Sequence, residues 1–144
     1  MTTLREQITA QTVAALLAGS TPAGSSVYRS RESSITRAMT PCIVVMPDGE
    51  RDSRLSNGTD KHVLVLVVEI FARGDPWDAI ADGTAEVAHR VMVKDPTIRA
   101  LVLDVRKIST DYEAMEADRT AGTLSARYEI TYVTRSDDLA AQPL

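Results

Sequence analysis

Aromatic residues are scarce in this sequence. Phe, Trp and Tyr make up 4% of its 144 residues, too few for a platform on which nucleic-acid bases stack. Basic charge is also short: 16 Lys and Arg stand against 20 Asp and Glu, a formal net charge of −4. A polynucleotide binder normally carries enough clustered Lys and Arg to displace phosphate counterions, so no nucleic-acid sequence recognition is expected. No stretch reaches the roughly 20 apolar residues that span a bilayer, and no membrane partner is expected. The segment from Met1 to Ala18 lacks a basic region followed by an unbroken apolar run, which argues against a secretion signal.

Cysteine is nearly absent as well. Cys42 is the only one, which excludes an intrachain disulfide and fits a reducing compartment. It lies in the apolar run Pro41-Cys42-Ile43-Val44-Val45-Met46, where a free thiol behaves as a small hydrophobe.

Motifs with chemistry behind them are missing too. Neither GxGxxG nor the P-loop pattern occurs, so no phosphate cradle is indicated, and no GxSxG elbow presents a serine nucleophile. His62 and His89 share no ligand spacing with each other or with the cysteine. Asp75, Asp78 and Asp82 suit the first turns of a helix rather than a metal. Asp111, Glu113, Glu116 and Asp118 lack calcium-loop order. No catalytic, metal or cofactor site is expected, and the chain is not expected to be an enzyme.

What is present is an ordinary globular balance, 44% hydrophobic and 25% charged. A chain of this length can bury roughly 68–70% of its unfolded surface. Residues 3–18 read as a helix: Thr3 and Glu6 make a capping box, Leu4, Ile8 and Ala15 recur at helical spacing, and Gly19 is a stop. Residues 20–26 are a loop. Two short strands follow, Val27–Arg31 and Cys42–Met46, and Pro47-Asp48-Gly49 signals a turn. From Asp48 to Asp60 only Leu55 is apolar, so a mobile loop is expected.

His62 to Ala72 is a long strand, apolar on both faces, and therefore covered on both. Leu64, Leu66, Val68 and Ile70 share one face; Val63, Val65, Val67 and Phe71 share the other. Asp75 as N-cap and Pro76 as first residue open a second helix, with Trp77, Ile80, Ala81, Thr84, Ala88, Val91 and Met92 as its apolar stripe and Asp95-Pro96 as its end. Strands are expected at Leu101–Ile108, with a continuation toward Tyr112 left open, and at Thr123–Arg135; Leu124, Ala126, Tyr128, Ile130 and Tyr132 alternate cleanly in the second. The expected fold is a single α+β domain over residues 1–135, an antiparallel-rich sheet with two main helices packed on it. Residues 136–144 form a flexible tail.

The order of segments is itself informative. Val27-Tyr28-Arg29-Ser30-Arg31, Ile35-Thr36-Arg37-Ala38 and Thr40-Pro41-Cys42-Ile43-Val44-Val45 resemble a pattern found in bacteriophage tail terminator or tail completion proteins of the minor tail protein U type. The strand Val63–Arg73, the Asp75-Pro76-Trp77 helix start, Asp95-Pro96-Thr97 and Arg127-Tyr128-Glu129-Ile130-Thr131-Tyr132 follow in the same order. The resemblance covers roughly residues 1–135; Cys42 departs from it, standing where Ala is expected. It implies a homo-oligomer, a six-membered ring at the head-proximal end of the virion tail, assembled in the host cytoplasm. It further implies that this ring ends tube polymerisation, contacts the tail tube protein and the head–tail connector protein, and needs no cofactor.

A ring needs a heterologous interface built from two different patches. Val63, Val65 and Val67 are candidates for a second apolar layer between subunits, or else for packing under the N-terminal helix. Arg51 and Arg54 are candidates for contact with an acidic or polar tube rim, with simple solvation the favoured alternative. Arg29 and Arg31, with Arg37 and the nearby serines, make a partner-facing edge in preference to an anion site. The competing readings are a head-completion or neck protein, a regulatory or immunity-type binding module, and a small ligand-binding or enzymatic α+β domain with a concave pocket.

Overall fold

Helix α1 spans Leu4–Ala18, and Thr3 caps it: its hydroxyl oxygen accepts from the Glu6 N–H at 3.2 Å, satisfying one of the free donors at a helix start. The Glu6 carboxylate does not complete the capping box. It turns to Arg29 in strand β1 (Val27–Arg29), whose Nη2 lies 2.7 Å from Glu6 Oε1, and that guanidinium holds the Glu6 carboxyl below its usual range. Leu4, Ile8, Ala15 and Leu16 are buried along one side. Thr9 and Thr12 share this buried side because their hydroxyls donate to the Arg5 and Ile8 carbonyls, both at 2.8 Å.

The computed structural model describes residues 2–30, 40–115 and 120–143. The remaining elements are β2 (Cys42–Ser56), β3 (Thr59–Arg73), α2 (Trp77–Lys94), α3 (Pro96–Leu101), β4 (Asp104–Ala114) and β5 (Ala121–Arg135). They make one α+β domain with a five-stranded sheet in the order β1-β2-β3-β5-β4. Only β1 and β2 pair in parallel; every other neighbouring pair is antiparallel. Since β3 and β4 both oppose β5, they run in the same direction, joined by α2 and α3. That crossover keeps the helices together on one face. Ile43, Val45, Leu64, Leu66, Val68, Ile70, Leu124, Tyr128 and Ile130 point from the sheet into the core beneath them. The alternation expected for the last strand is observed.

The expected mobile loop at 48–60 is not a loop. Arg51 pairs with Val63, Asp52 with His62, Ser53 with Lys61 and Arg54 with Asp60, continuing β2 almost to the tip of a hairpin. Pro47-Asp48-Gly49, expected as a turn, is an irregularity within β2, with Gly49 at φ 147°. The true turn is Asn57-Gly58, Gly58 adopting φ 85°, a pair favoured in tight hairpins. Two facts offset the lack of apolar anchors: the ladder satisfies the backbone, and ion pairs tie down the charged side chains. Arg54 Nε, for example, lies 2.8 Å from Asp60 Oδ1.

Two boundaries also move. Helix α2 starts at Trp77, Pro76 is its N-cap, and no side chain caps it; Asp75 lies before the helix. Pro96 ends α2 as expected but also opens α3, because Asp95 Oδ2 accepts from the Ile98 N–H at 2.9 Å. The strand expected from Leu101 therefore begins at Asp104. Trp77 rests on Gly122, where a Cβ would fall 2.5 Å from the indole. Ile80, placed in the apolar stripe, is 38% exposed. Beyond β5, the Arg135 N–H donates to Ala141 O at 3.0 Å and the Leu4 N–H to Leu139 O at 2.9 Å, so the last segment bonds to the end of β5 and the start of α1.

Candidate assembly surface

The helices cover one face of the sheet, and Val63, Val65 and Val67 lie on the other. Val67 is buried, while Val63 and Val65 are half-buried. Among the described residues no helix lies over them, and α1 packs on the opposite face. What shelters them is charge. Arg51, opposite Val63, reaches across β3 to Glu129, opposite Val65, with Nη2 2.8 Å from Oε2. Arg106 in β4 holds the other Glu129 oxygen at 3.2 Å. Arg127, opposite Val67, crosses the same strand in the other direction to Asp48. Two ion-pair straps therefore run over the valine stripe, and the methylene stems of their arginines supply apolar cover.

The other candidate residues are dispersed. Arg54 pairs with Asp60 near the hairpin tip, and Arg29 pairs with Glu6 at the far sheet edge. Arg31 and Arg37, with Ser33 and Ser34, lie outside the described residues, as do Glu116 and Asp118. The structure thus brings together Val63, Val65, Val67 and Arg51 but not the remaining arginines. Farther along the open face, burial raises the carboxyl of Glu69, and the nearby Glu113 charge adds to the effect.

A polar cluster at the root of the hairpin was not visible in the sequence. His62 is 3% exposed; its Nδ1 lies 2.6 Å from Asp52 Oδ1 and its Nε2 2.8 Å from Thr134 Oγ1. Its ring stacks on Tyr132 at 4.7 Å. The Tyr132 hydroxyl donates to Glu50 Oε1, while Arg5 Nη1 donates to Glu50 Oε2 at 3.0 Å. Hydrogen bonding to His62 lowers the Asp52 carboxyl, and burial, followed by Glu50, raises the Tyr132 hydroxyl. The signal that could have found this cluster is register: once Asn57-Gly58 is the turn, Asp52 falls opposite His62.

Glu50, Asp52 and His62 place their ligand atoms within 4.8 Å of one another, close enough for one cation. Yet both Glu50 oxygens are engaged, one by a guanidinium, and Nδ1 already faces Asp52. A metal would have to displace the positive charge of Arg5. The chemistry of the cluster is that of a closed hydrogen-bonded network pinning the hairpin to α1 and β5.

A cavity of about 300 Å³ lies between α2 and the sheet, lined by Val68, Ile70, His89, Lys107 and Tyr128 among others. His89 Nδ1 is 2.9 Å from the Tyr128 hydroxyl, whose pKa burial pushes up to about 12. A phenol held that far above neutrality keeps its proton, and here its partner fixes it in place. The volume sits at the lower limit for small-molecule sites.

No protein-family model matches the sequence, and comparison with curated proteins finds no match. Among solved structures, the chain is similar to one described as the virion of a native gene transfer agent particle. The TM-score is 0.55 at 13% identity, covering 87% of this chain and 91% of that one. At that identity the likeness is one of fold, and it extends over nearly the whole of both chains.

Proposed function

We propose that this chain is a structural protein of a phage-like virion that assembles as a ring at the head-proximal end of the tail. In that place it ends polymerisation of the tube and joins it to the head connector. The observation that carries the reading is the near-complete fold overlap with a chain from a gene transfer agent virion. The segment order described above agrees with it and supplies the finer assignment to the tail terminator class, a six-membered ring and a role without catalysis. The geometry is compatible: among the described residues the sheet leaves one broad face without a helix, and the polar groups of the hairpin root bond to each other.

The test is to mix purified protein with isolated tail tubes and, separately, with connector complexes, and to view both by negative-stain electron microscopy. Rings capping tube ends, together with loss of further tube growth, are the expected result. Binding to connectors but not to tubes would assign the chain to the neck instead. A stable monomer that engages neither would overturn a virion role.

A further inference from the structure

We infer that copies of this chain join edge to edge, the outer half of β2 in one copy adding as a strand to β4 of the next. The inference rests on the ring reading above and names the two surfaces that would close the ring.

Both edges are open. Strand β4 pairs with β5 on one side and with no strand on the other among the described residues. Strand β1 pairs only with Ile43–Val45 of β2, so from Met46 to Ser56 the outer edge of β2 also carries no strand among the described residues. Each free edge is about eleven residues long, and an unpaired strand of that length offers a row of N–H and C=O groups to another chain. Irregularities at Pro47/Gly49, Arg54/Ser56 and Lys107/Ser109 interrupt these edges without covering them. Gly49–Arg54 and Ser109–Ala114 remain as uninterrupted stretches. Exposed apolar side chains gather along β4, where Leu103 is 66% exposed, Tyr112 55%, Met115 45% and Ile108 42%; in β2, Leu55 near the hairpin tip is 56% exposed.

The partner that fits is a second copy. A ring contact is heterologous, needing two different complementary patches on one molecule, and these edges lie toward opposite ends of the sheet. Their directions also agree. Strand β2 opposes β3, β3 opposes β5 and β5 opposes β4, so β2 and β4 run in opposite directions. Rotation about an axis parallel to the strands preserves direction and therefore brings β2 of one copy antiparallel to β4 of its neighbour. Charge agrees as well. On the open face, Asp104, Asp111 and Glu113 of β4 carry no ion pair among the described residues, and Arg51 of β2, on that same face, is 66% exposed in its pair with Glu129. Exposed pairs of this kind are weak and exchangeable.

Disulfide trapping tests this in the full chain. Ser53→Cys is combined in turn with Asp104→Cys, Arg106→Cys, Ser109→Cys and Asp111→Cys, which register places on the same sheet face as position 53; Cys42 is fully buried and silent. After mild oxidation, non-reducing gels should show a ladder of multimers for at least one pair and none for the single variants. Light scattering on the same samples separates the possible failures. Ring-sized particles without any trapped pair would overturn edge pairing and leave the ring standing. Trapping by Ser53→Cys alone would indicate a two-fold contact and overturn it too. A monomer at the highest soluble concentration, with no trapping, would overturn both. As a check free of substitutions, the β4 amides of the wild-type protein should exchange hydrogen more slowly in concentrated than in dilute solution; equal rates count against the pairing.

Discussion

Substituting His62 with alanine should remove about 3 kcal/mol of stability, and most of that loss comes from contacts away from its charged partner. Thr134 is fully buried, and its hydroxyl meets His62 Nε2 at 2.8 Å. Without the imidazole that hydroxyl is left buried and unpaired, a loss of about 1–3 kcal/mol. The ring also packs flat on Tyr132 at 4.7 Å, and the void it leaves adds roughly 1 kcal/mol. The bond to Asp52 adds less, since that side chain is 60% exposed and water can take the place of its lost partner, leaving about 1 kcal/mol or less. Urea unfolding at pH 7 reads the difference: with a slope of about 2 kcal/mol/M, His62→Ala should shift the midpoint down by roughly 1.5 M, and Asp52→Asn by less than about 0.5 M. If the two variants shift it equally, or His62→Ala shifts it by under about 0.5 M, the buried contacts are not what holds the hairpin root.

Gly122→Ala should destabilise by about 1–3 kcal/mol through overpacking, because its Cβ would fall 2.5 Å from the Trp77 ring; a shift in Trp77 fluorescence should accompany the lowered melting temperature. Leu66→Ala, at the centre of the core and fully buried, should lose about 2–5 kcal/mol in denaturant titrations. Glu69→Gln should stabilise the isolated subunit at pH 7. Burial and Glu113 raise the carboxyl of Glu69 in the folded state, so folding disfavours its charged form above its unfolded value of 4.5. The gain should vanish once pH falls below that value, and a gain that persists at pH 3 contradicts the assignment. Glu6 behaves in the opposite way. Arg29 lowers its folded pKa, so its contribution is present above the unfolded value and is lost as pH falls through the folded one. Glu6→Gln should therefore flatten the acid limb of the stability profile.

What the sequence made legible was packing; what it hid was pairing. Alternation in β5 and the double apolar pattern of His62–Ala72 are local, and residues such as Leu124 and Leu66 fall where period two puts them. The hairpin was missed because Pro47-Asp48-Gly49 and Asn57-Gly58 both satisfy turn chemistry, and between them only Leu55 is apolar. The deciding factor is non-local: Asp52 and Arg54 gain His62 and Asp60 only once β2 lies beside β3, and Glu129 and Arg127 come within reach of Arg51 and Asp48 only once β5 lies beside β3 in turn. The same cause hid the candidate surface. A valine stripe with no helix over it reads in sequence as a demand for another layer, yet Arg51 and Arg127 reach across it from both sides. These straps can open without unfolding anything, since each has a well-exposed end, Arg51 at 66% and Asp48 at 50%. A monomer can therefore remain soluble with its valines sheltered, while the strand edges stay free to meet a neighbour. On this argument the open face modulates assembly and the edges drive it, so Val65→Asp should leave assembled mass less affected than a proline at Thr110 within β4. Light scattering on the two variants decides between them, with circular dichroism to confirm that each is folded; a larger loss from Val65→Asp would return the interface to the valine face.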